Sequence, residues 1–259
     1  MLEPALLSII NMKKALLFLT VASLFAFVGC EKHEDDITPV VVPLFSVSEG
    51  HQVLFSSGNL VYDSIDGYRF AANQYDHGGY FGWGTGSNPT LVSKNDEDYA
   101  TFDDWGSHID GGWRTLTLDE WNYVTTGRAD AAAKCGVATV CDVHGIVLLP
   151  DNWSGGAFNA GFDENRFDNS WDKNVYDASA WSDMEKAGAV FLPAWGFDIR
   201  SAGKFIHVLG IGSMGNYWSS TSNGSTNRAY GMSFDSFEMD TIHNNYRHHG
   251  LSVRLVRDI

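Results

Sequence analysis

Apolar and polar positions change period several times along this chain, and each change predicts an element. Two strand-like runs, HQVLFSSGNLVYD (residues 51–63) and YRFAANQYD (68–76), flank the tetrapeptide SIDG. Asp66-Gly67 suits a hairpin turn, since the glycine accepts the positive φ that such turns require. A helix is predicted from Thr117. Its hydroxyl caps the first turn, Glu120 completes a capping box, Leu118, Trp121 and Val124 share one face, and Gly127 ends it. A second helix is predicted from Ser179 as cap, with Trp181 and Met184 turned to the core and Gly188 as the stop. IVLLPDNW and AVFLPAWG read as two buried segments, each halted by proline. Period two returns late in the chain. Tyr230, Met232 and Phe234 alternate with Gly231, Ser233 and Asp235, and Leu251, Val253 and Leu255 alternate with Ser252, Arg254 and Val256. Between these strands lies HNNYRHHG (243–250), which has no apolar period and reads as a loop. GGYFGWGTGSNPT (78–90) is glycine-rich and loop-like. The acidic stretch 91–112 has no period and is expected as a long surface loop.

Composition sharpens this picture. Aromatics make up 14% of the chain, charged residues only 19%, and there are 27 glycines. Such a chain favours short strands, tight turns and long ordered loops over a helical bundle. No repeat of 20–50 residues stands out.

The start of the chain reads differently from the rest. Lys13 and Lys14 precede an apolar run, Ala15–Val28, that ends in Gly29-Cys30. This is the layout of a secretion signal, and the run is short for a membrane span. FVGC resembles a bacterial lipobox, which implies cleavage before Cys30 and lipidation of it. Met12 is the better start, since MLEPALLSIIN precedes the charged region that normally opens a signal. The expected organisation is a signal peptide over 1–30, a flexible acidic tether over 31–43 and one domain over 44–259. The acidic cluster in EKHEDDITPVVVP resembles the surface-export signal of Bacteroidetes lipoproteins. It implies a lipid-anchored protein of the outer membrane, exposed at the surface and touching the membrane only through its anchor.

The formal charge is −15. Removing residues 1–29 takes away Lys13, Lys14 and Glu3, which leaves −16. That argues against nucleic acid and anionic lipid as partners, both of which select basic patches. Cys135 and Cys141 would stand about 20 Å apart on an extended strand, beyond disulfide reach, and their spacing excludes a CxxC redox site. Free thiols are expected.

Seven segments occur in an order that is informative together: FSSGNLVY…YRFAANQYD, FGWGT, WRTLTLDEW, GIVLLPDNW, AGAVFLPAWG, GNYWSSTSN and GLSVRLVRD. In this they resemble the Fibrobacter succinogenes major paralogous domain and its relatives among Bacteroidetes surface lipoproteins. The resemblance spans residues 44–259, and its closing YWSST…GLSVRLVRD is the most specific part. It implies an α+β, C-type-lectin-like fold of short mixed or antiparallel strands, in which the chain ends meet in one sheet, two helices flank it and long ordered but irregular loops carry the ligand site.

The chemical readings are then weighed one by one. Calcium-dependent sugar binding in that fold uses Glu-Pro-Asn or Gln-Pro-Asp followed by Trp-Asn-Asp. Here Ser87-Asn88-Pro89 lacks the carboxylate and Trp218-Ser219-Ser220 replaces the second motif. The acidic DENRFDNSWDKN misses the spacing of a calcium loop. Formylglycine-type oxidation needs paired late cysteines, and none follows Cys141. A zinc site at His243, His248 and His249 lacks HExxH or CxxC support, and adjacent histidines on a strand would point apart. No GxSxG is present, and no carboxylate pair is singled out for glycan hydrolysis. No enzyme, cofactor or metal is expected.

Binding by display remains. Residues 216–249 are dense in Asn, Ser, Thr, Tyr, His and Arg, which give adaptable hydrogen bonds and flat aromatic contact at low ordering cost. The expected ligand-binding residues are Asn223, Asn227, Tyr230, His243, Asn244, Asn245, Tyr246, Arg247, His248 and His249, facing a protein or glycan. Trp218 is expected in the core. A structural or pilus-associated surface module and a carboxylate-based glycan hydrolase are the other readings. Some relatives with this ending are diversified by retroelements acting on adenine-rich codons, and the Asn, Tyr and His positions here would suit that process.

Overall fold

The computed structural model describes residues 42–165, 170–200 and 207–259. The secretion signal, Cys30, the start at Met12 and nearly all of the tether lie outside the described residues, as do four residues of the 163–174 acidic stretch.

The chain opens with two hairpins. β1 (Phe45–Ser48) and β2 (His51–Phe55) pair antiparallel, as do β3 (Leu60–Asp63) and β4 (Gly67–Phe70). The second turns at Asp66-Gly67 as expected. Gly67 has φ +72°, and the Asp63 carboxylate accepts the Ile65 and Asp66 amides at 2.9 and 2.7 Å. The run 51–63 is not one strand, however. It breaks at Ser56–Gly58, where a Cβ on Gly58 would sit 2.5 Å from the Ala71 carbonyl oxygen, so β2 and β3 enter different sheets.

The acidic stretch 91–112 is less solvated than its charge suggests. It contains two 3-10 turns, Asp96–Tyr99 and Trp105–His108, and each buries an aromatic ring. Tyr99 and Trp105 thereby pin the segment, while Glu97 and Asp98 stay exposed and the Asp104 carboxylate turns in to accept the Thr115 amide at 2.9 Å. β5 (Trp113–Thr115) follows, then α1 (Leu118–Asn122). The Thr117–Glu120 capping box forms as predicted, and a wider turn continues the helix to Gly127. Trp121 and Val124 are buried.

β6 (Cys135–Val140) and β7 (Val143–Leu148) join through Cys141-Asp142, both at positive φ. Both thiols are free, and burial pushes that of Cys135 up to about 12. β8 (Val175–Tyr176) runs parallel to β6 and leads into α2 (Ala178–Lys186). The cap of α2 is Asp177, not Ser179. The Asp177 carboxylate accepts the Ala180 amide at 2.8 Å, and its charge suits the helix N-terminus. Trp181 and Met184 face the core, and Gly188 stops the helix at φ +98°. β9 (Val190–Pro193) then pairs antiparallel with β7, setting Leu148 opposite Val190 and Ile146 opposite Leu192. The two proline-stopped segments are thus neighbours in one sheet of order β8-β6-β7-β9.

A short pair, β10 (Phe197–Asp198) and β11 (Val208–Leu209), precedes a three-stranded antiparallel sheet of β12 (Gly215–Ser222), β13 (Arg228–Phe234) and β14 (Met239–Tyr246). Finally β15 (Leu255–Asp258) inserts between β2 and β5, giving the order β1-β2-β15-β5. The early and late parts of the domain therefore meet in one sheet. The fold is α+β, mostly antiparallel strands with two short helices.

Residues 251–256 depart from the expected alternation. Leu251, Val253 and Leu255 are buried as predicted, but so are Ser252, Arg254 and Val256. The segment is enclosed on both faces. Arg254 is held by Gln74 Oε1 at 2.5 Å and Asn59 Oδ1 at 3.4 Å, and Gln74 passes the contact to Glu185 at 2.8 Å. Burial lowers the Arg254 guanidinium to about 10. Trp218 is buried, as expected, and its indole donates to the Phe81 carbonyl at 2.6 Å.

Candidate functional site

The expected loop 243–250 is only half a loop. His243–Tyr246 form the end of β14, paired with β13, and only the residues after them turn. The polar composition hides a strand, because its outer face is solvated and the buried positions of its inner face, Thr241 and Asn245, are themselves polar although Asn245 stands opposite the core residue Ala229.

Alternation on β14 leaves Asp240, Ile242, Asn244 and Tyr246 exposed, with Thr241 and Asn245 buried. The register sets Tyr246 opposite Arg228 and Asn244 opposite Tyr230. The Arg228 guanidinium lies 3.8 Å from the centre of the Tyr246 ring and donates to the Asn244 carbonyl at 3.1 Å. Asn223, at the β12–β13 tip, donates its carboxamide N–H to Asn244 Oδ1 at 2.9 Å. Tyr246 stacks on His248 at 5.2 Å, His248 meets His249 edge-on at 5.0 Å, and His249 lies 5.5 Å from Phe197. One continuous ridge results: Arg228, Tyr246, His248, His249, Phe197.

Beside the ridge is an open groove of about 470 Å³. Asp96 and Glu97 form one wall, Ser222, Ser225 and Thr226 the other, and Arg247 lies at its base. This volume is within the range of small-ligand sites. The groove exists because Arg247 holds its walls. Its guanidinium donates to the carbonyls of Arg228 at 3.0 Å, Tyr99 at 2.9 Å, Ala100 at 3.3 Å and Ser225 at 2.9 Å, and to Ser222 Oγ at 2.6 Å. It also stacks over the Trp83 ring at 4.3 Å.

Arg247 is thus 5% exposed, and its guanidinium is committed to the groove's own backbone rather than held out as a free tip. A guanidinium can satisfy several carbonyls at once, so the absence of an apolar period was no guide to its burial. Asn245 is also buried, on the inner side of β14, and cannot face a ligand. His243 pairs with Asp240 at 3.3 Å and lines a separate small hollow with Met214 and Ser233. Asn227 lies half-buried behind the groove, where its carbonyl accepts the Arg247 amide at 2.9 Å. The structure therefore brings together Asn223, Tyr230, Asn244, Tyr246, His248 and His249, with Arg247 beneath the groove and Asn227 beside Ser225; His243 and Asn245 lie apart from them. It adds Arg228, Asp96, Glu97 and Ser225. Arg228 shares the two-residue period of Tyr230, a usable signal. Asp96 and Glu97 are more than a hundred residues away in sequence, and no local pattern marks them.

His248 and His249 sit in the turn after β14 with their rings together, rather than on opposite faces of a strand. Among the described residues no group of three or more His, Cys, Asp or Glu side chains is placed to hold a metal ion. Burial pushes the His249 imidazole down to about 4, with His248 and Arg228 adding to the effect, and burial lowers His248 as well. The fold thus favours neutral His249. Its contribution to stability is whole above the unfolded value of about 6.5, and drains away as pH falls toward about 4. An NMR titration is expected to place the His249 midpoint near 4. A midpoint at the ordinary imidazole value would mean that the ring does not pack against Tyr246 and Phe197.

A family model described as a domain of unknown function, DUF8237, matches residues 167–256. That segment contains the whole of β12, β13 and β14, and so the ridge and the hairpin wall of the groove, but not Asp96 or Glu97. No curated protein and no solved structure matches the chain. Among the described residues no helix is long and apolar enough to cross a membrane.

Proposed function

We propose that this chain is a lipid-anchored surface protein of the outer membrane, held through Cys30. Its residues 44–259 form a C-type-lectin-like domain that binds a protein or glycan without catalysis. The observation that carries the binding reading is the ridge of Arg228, Tyr246 and His248 running beside a polar groove. Flat aromatic surface, amide groups and hydroxyls are gathered on one exposed face by strands whose other side is locked into the domain. Rigid backing with adaptable polar tips is the construction of a recognition surface. The fold assignment is supported by the meeting of early and late strands in one sheet, by the two helices and by the long ordered loops. The surface location rests on the residues of the signal and of the acidic tether.

The test is a glycan and host-protein array with the purified full chain, run with and without a chelator. Binding is expected to survive the chelator and to fall at least about tenfold in Tyr246→Ala, whose ring is an exposed anchor of the kind that dominates interfaces. Circular dichroism should be unchanged in that variant, because Tyr246 is 37% exposed. Binding abolished by the chelator would sink the metal-free reading, and absence of any binding would favour a structural surface module.

A further inference from the structure

We propose that Asn223 is a self-modifying site, at which the tip of the β12–β13 hairpin converts its own carboxamide to aspartate or isoaspartate. Asn223-Gly224 is the only Asn-Gly pair in the chain. In such a pair the glycine amide nitrogen can attack the asparagine carboxamide, because no side chain hinders its approach. What the structure adds is an arrangement of neighbours around each reacting atom.

The electrophile is polarised. Asn223 Oδ1 accepts two hydrogen bonds from Ser225, one from its amide at 3.0 Å and one from its hydroxyl at 2.7 Å. The hydrogen bond to the amide two residues ahead folds the Asn223 side chain back along its own backbone in an Asx-turn. The two donors stand where negative charge develops on Oδ1 during attack. The nucleophile also has a partner. The Gly224 amide donates to Ser222 Oγ at 3.2 Å, and that hydroxyl is fixed in turn by Arg247 Nη2 at 2.6 Å. Water has access too. Gly224 is exposed at φ +85°, with nothing within 4 Å of where a Cβ would stand.

The step balances with water as the only co-reactant. Gly224 N bonds to Asn223 Cγ and gives up its proton to solvent past Ser222 Oγ. The Cγ–Nδ2 bond then breaks, and Nδ2 takes up a proton and leaves as ammonia. Water opens the resulting succinimide, either at Cγ to give aspartate or at the Asn223 main-chain carbonyl carbon to give isoaspartate. Nothing is oxidised or reduced. The product no longer donates to Asn244 Oδ1, and it places a carboxylate at the lip of the groove, across from Asp96 and Glu97. The reaction therefore makes the face more acidic and loosens the hairpin from β14. This chemistry does not depend on what the face binds.

The purified full chain would be held at mildly alkaline pH and sampled over time. Deamidation would be read by mass spectrometry of the tryptic peptide carrying Asn216, Asn223 and Asn227, and isoaspartate by methyltransferase labelling. Asn223 is expected to react in the folded chain roughly five- to tenfold faster than in the same chain unfolded in urea, the worth of about one well-placed hydrogen bond. Asn216 and Asn227 should stay intact. Ser225→Ala removes the hydroxyl donor on an exposed tip, and should bring the folded rate down toward the unfolded one with an unchanged circular dichroism spectrum. A folded rate equal to or below the urea rate overturns the proposal, as does an unaltered rate in Ser225→Ala.

Discussion

Arg247→Ala is expected to cost about 3 kcal/mol of stability and to dissolve the groove, although the residue lies in the most polar stretch of the chain. The side chain ties the 3-10 turn at Asp96–Tyr99, the β12–β13 tip and β13 to one another through four carbonyls and a hydroxyl. Its removal leaves buried acceptors unpaired and takes a stacking partner from Trp83. Arg247→Lys should recover little, because one ammonium cannot reach in all those directions. Urea denaturation gives the stability loss, and hydrogen exchange should show it concentrated at residues 96–100 and 222–227. A variant as stable as the parent would mean that the loops are held by other contacts. For binding studies, a ligand lost on Arg247→Ala reports collapsed architecture, whereas Tyr246→Ala reports contact.

Trp121→Ala is expected to cost about 3–5 kcal/mol, the usual penalty for emptying a large aromatic site in a core. Trp121 is fully buried on α1 and joins parts of the domain far apart in sequence. Its ring lies 6.0 Å from Phe55 of β2 and 6.4 Å from Tyr217 of β12, and its indole donates to the Trp218 carbonyl at 3.2 Å. Helix α1 has only five residues, too few to stand by propensity alone, so this side chain holds the helix to the sheets. Trp121→Phe should retain most of the packing and lose the hydrogen bond, for about 1 kcal/mol. Thermal unfolding of both variants checks the order. A loss below about 1 kcal/mol for the alanine variant would show that α1 is not the key between the sheets.

The elements most legible in the sequence were those with a strong local rule. The Thr117–Glu120 box, the Asp66-Gly67 turn and the Gly188 stop are each decided within a few residues, and each formed. The apolar segments around Pro150 and Pro193 were legible as buried, but not as partners, because pairing over that separation leaves no mark in either run. The failures have a common physical cause. β14 is hard to read because its own buried residues, Thr241 and Asn245, are polar and give no apolar alternation. The burial of Arg247 is not legible because backbone carbonyls, which carry no sequence label, are what enclose it. Ser179 reads as the cap because Asp177, the actual cap, lies two positions before the predicted run. Arg228, Tyr246 and His248 are close enough in sequence to be read as one polar stretch, but the groove beside them also needs Asp96 and Glu97 from a distant turn, and only the fold reveals that meeting.

β15 fills an interior position of its sheet, with Val256 opposite Phe55 on one side and Arg114 on the other. β2 and β5 therefore have no common neighbour until residues 255–258 have emerged and closed a loop of about two hundred residues. Loop closure over such a distance is costly before it is rewarded, and folding dominated by such contacts is slow. During synthesis the N-terminal hairpin must wait with an open edge for nearly the whole of the domain. The domain cannot lock early, and a chain that stays unlocked until late is one that can still be threaded across a membrane before it folds.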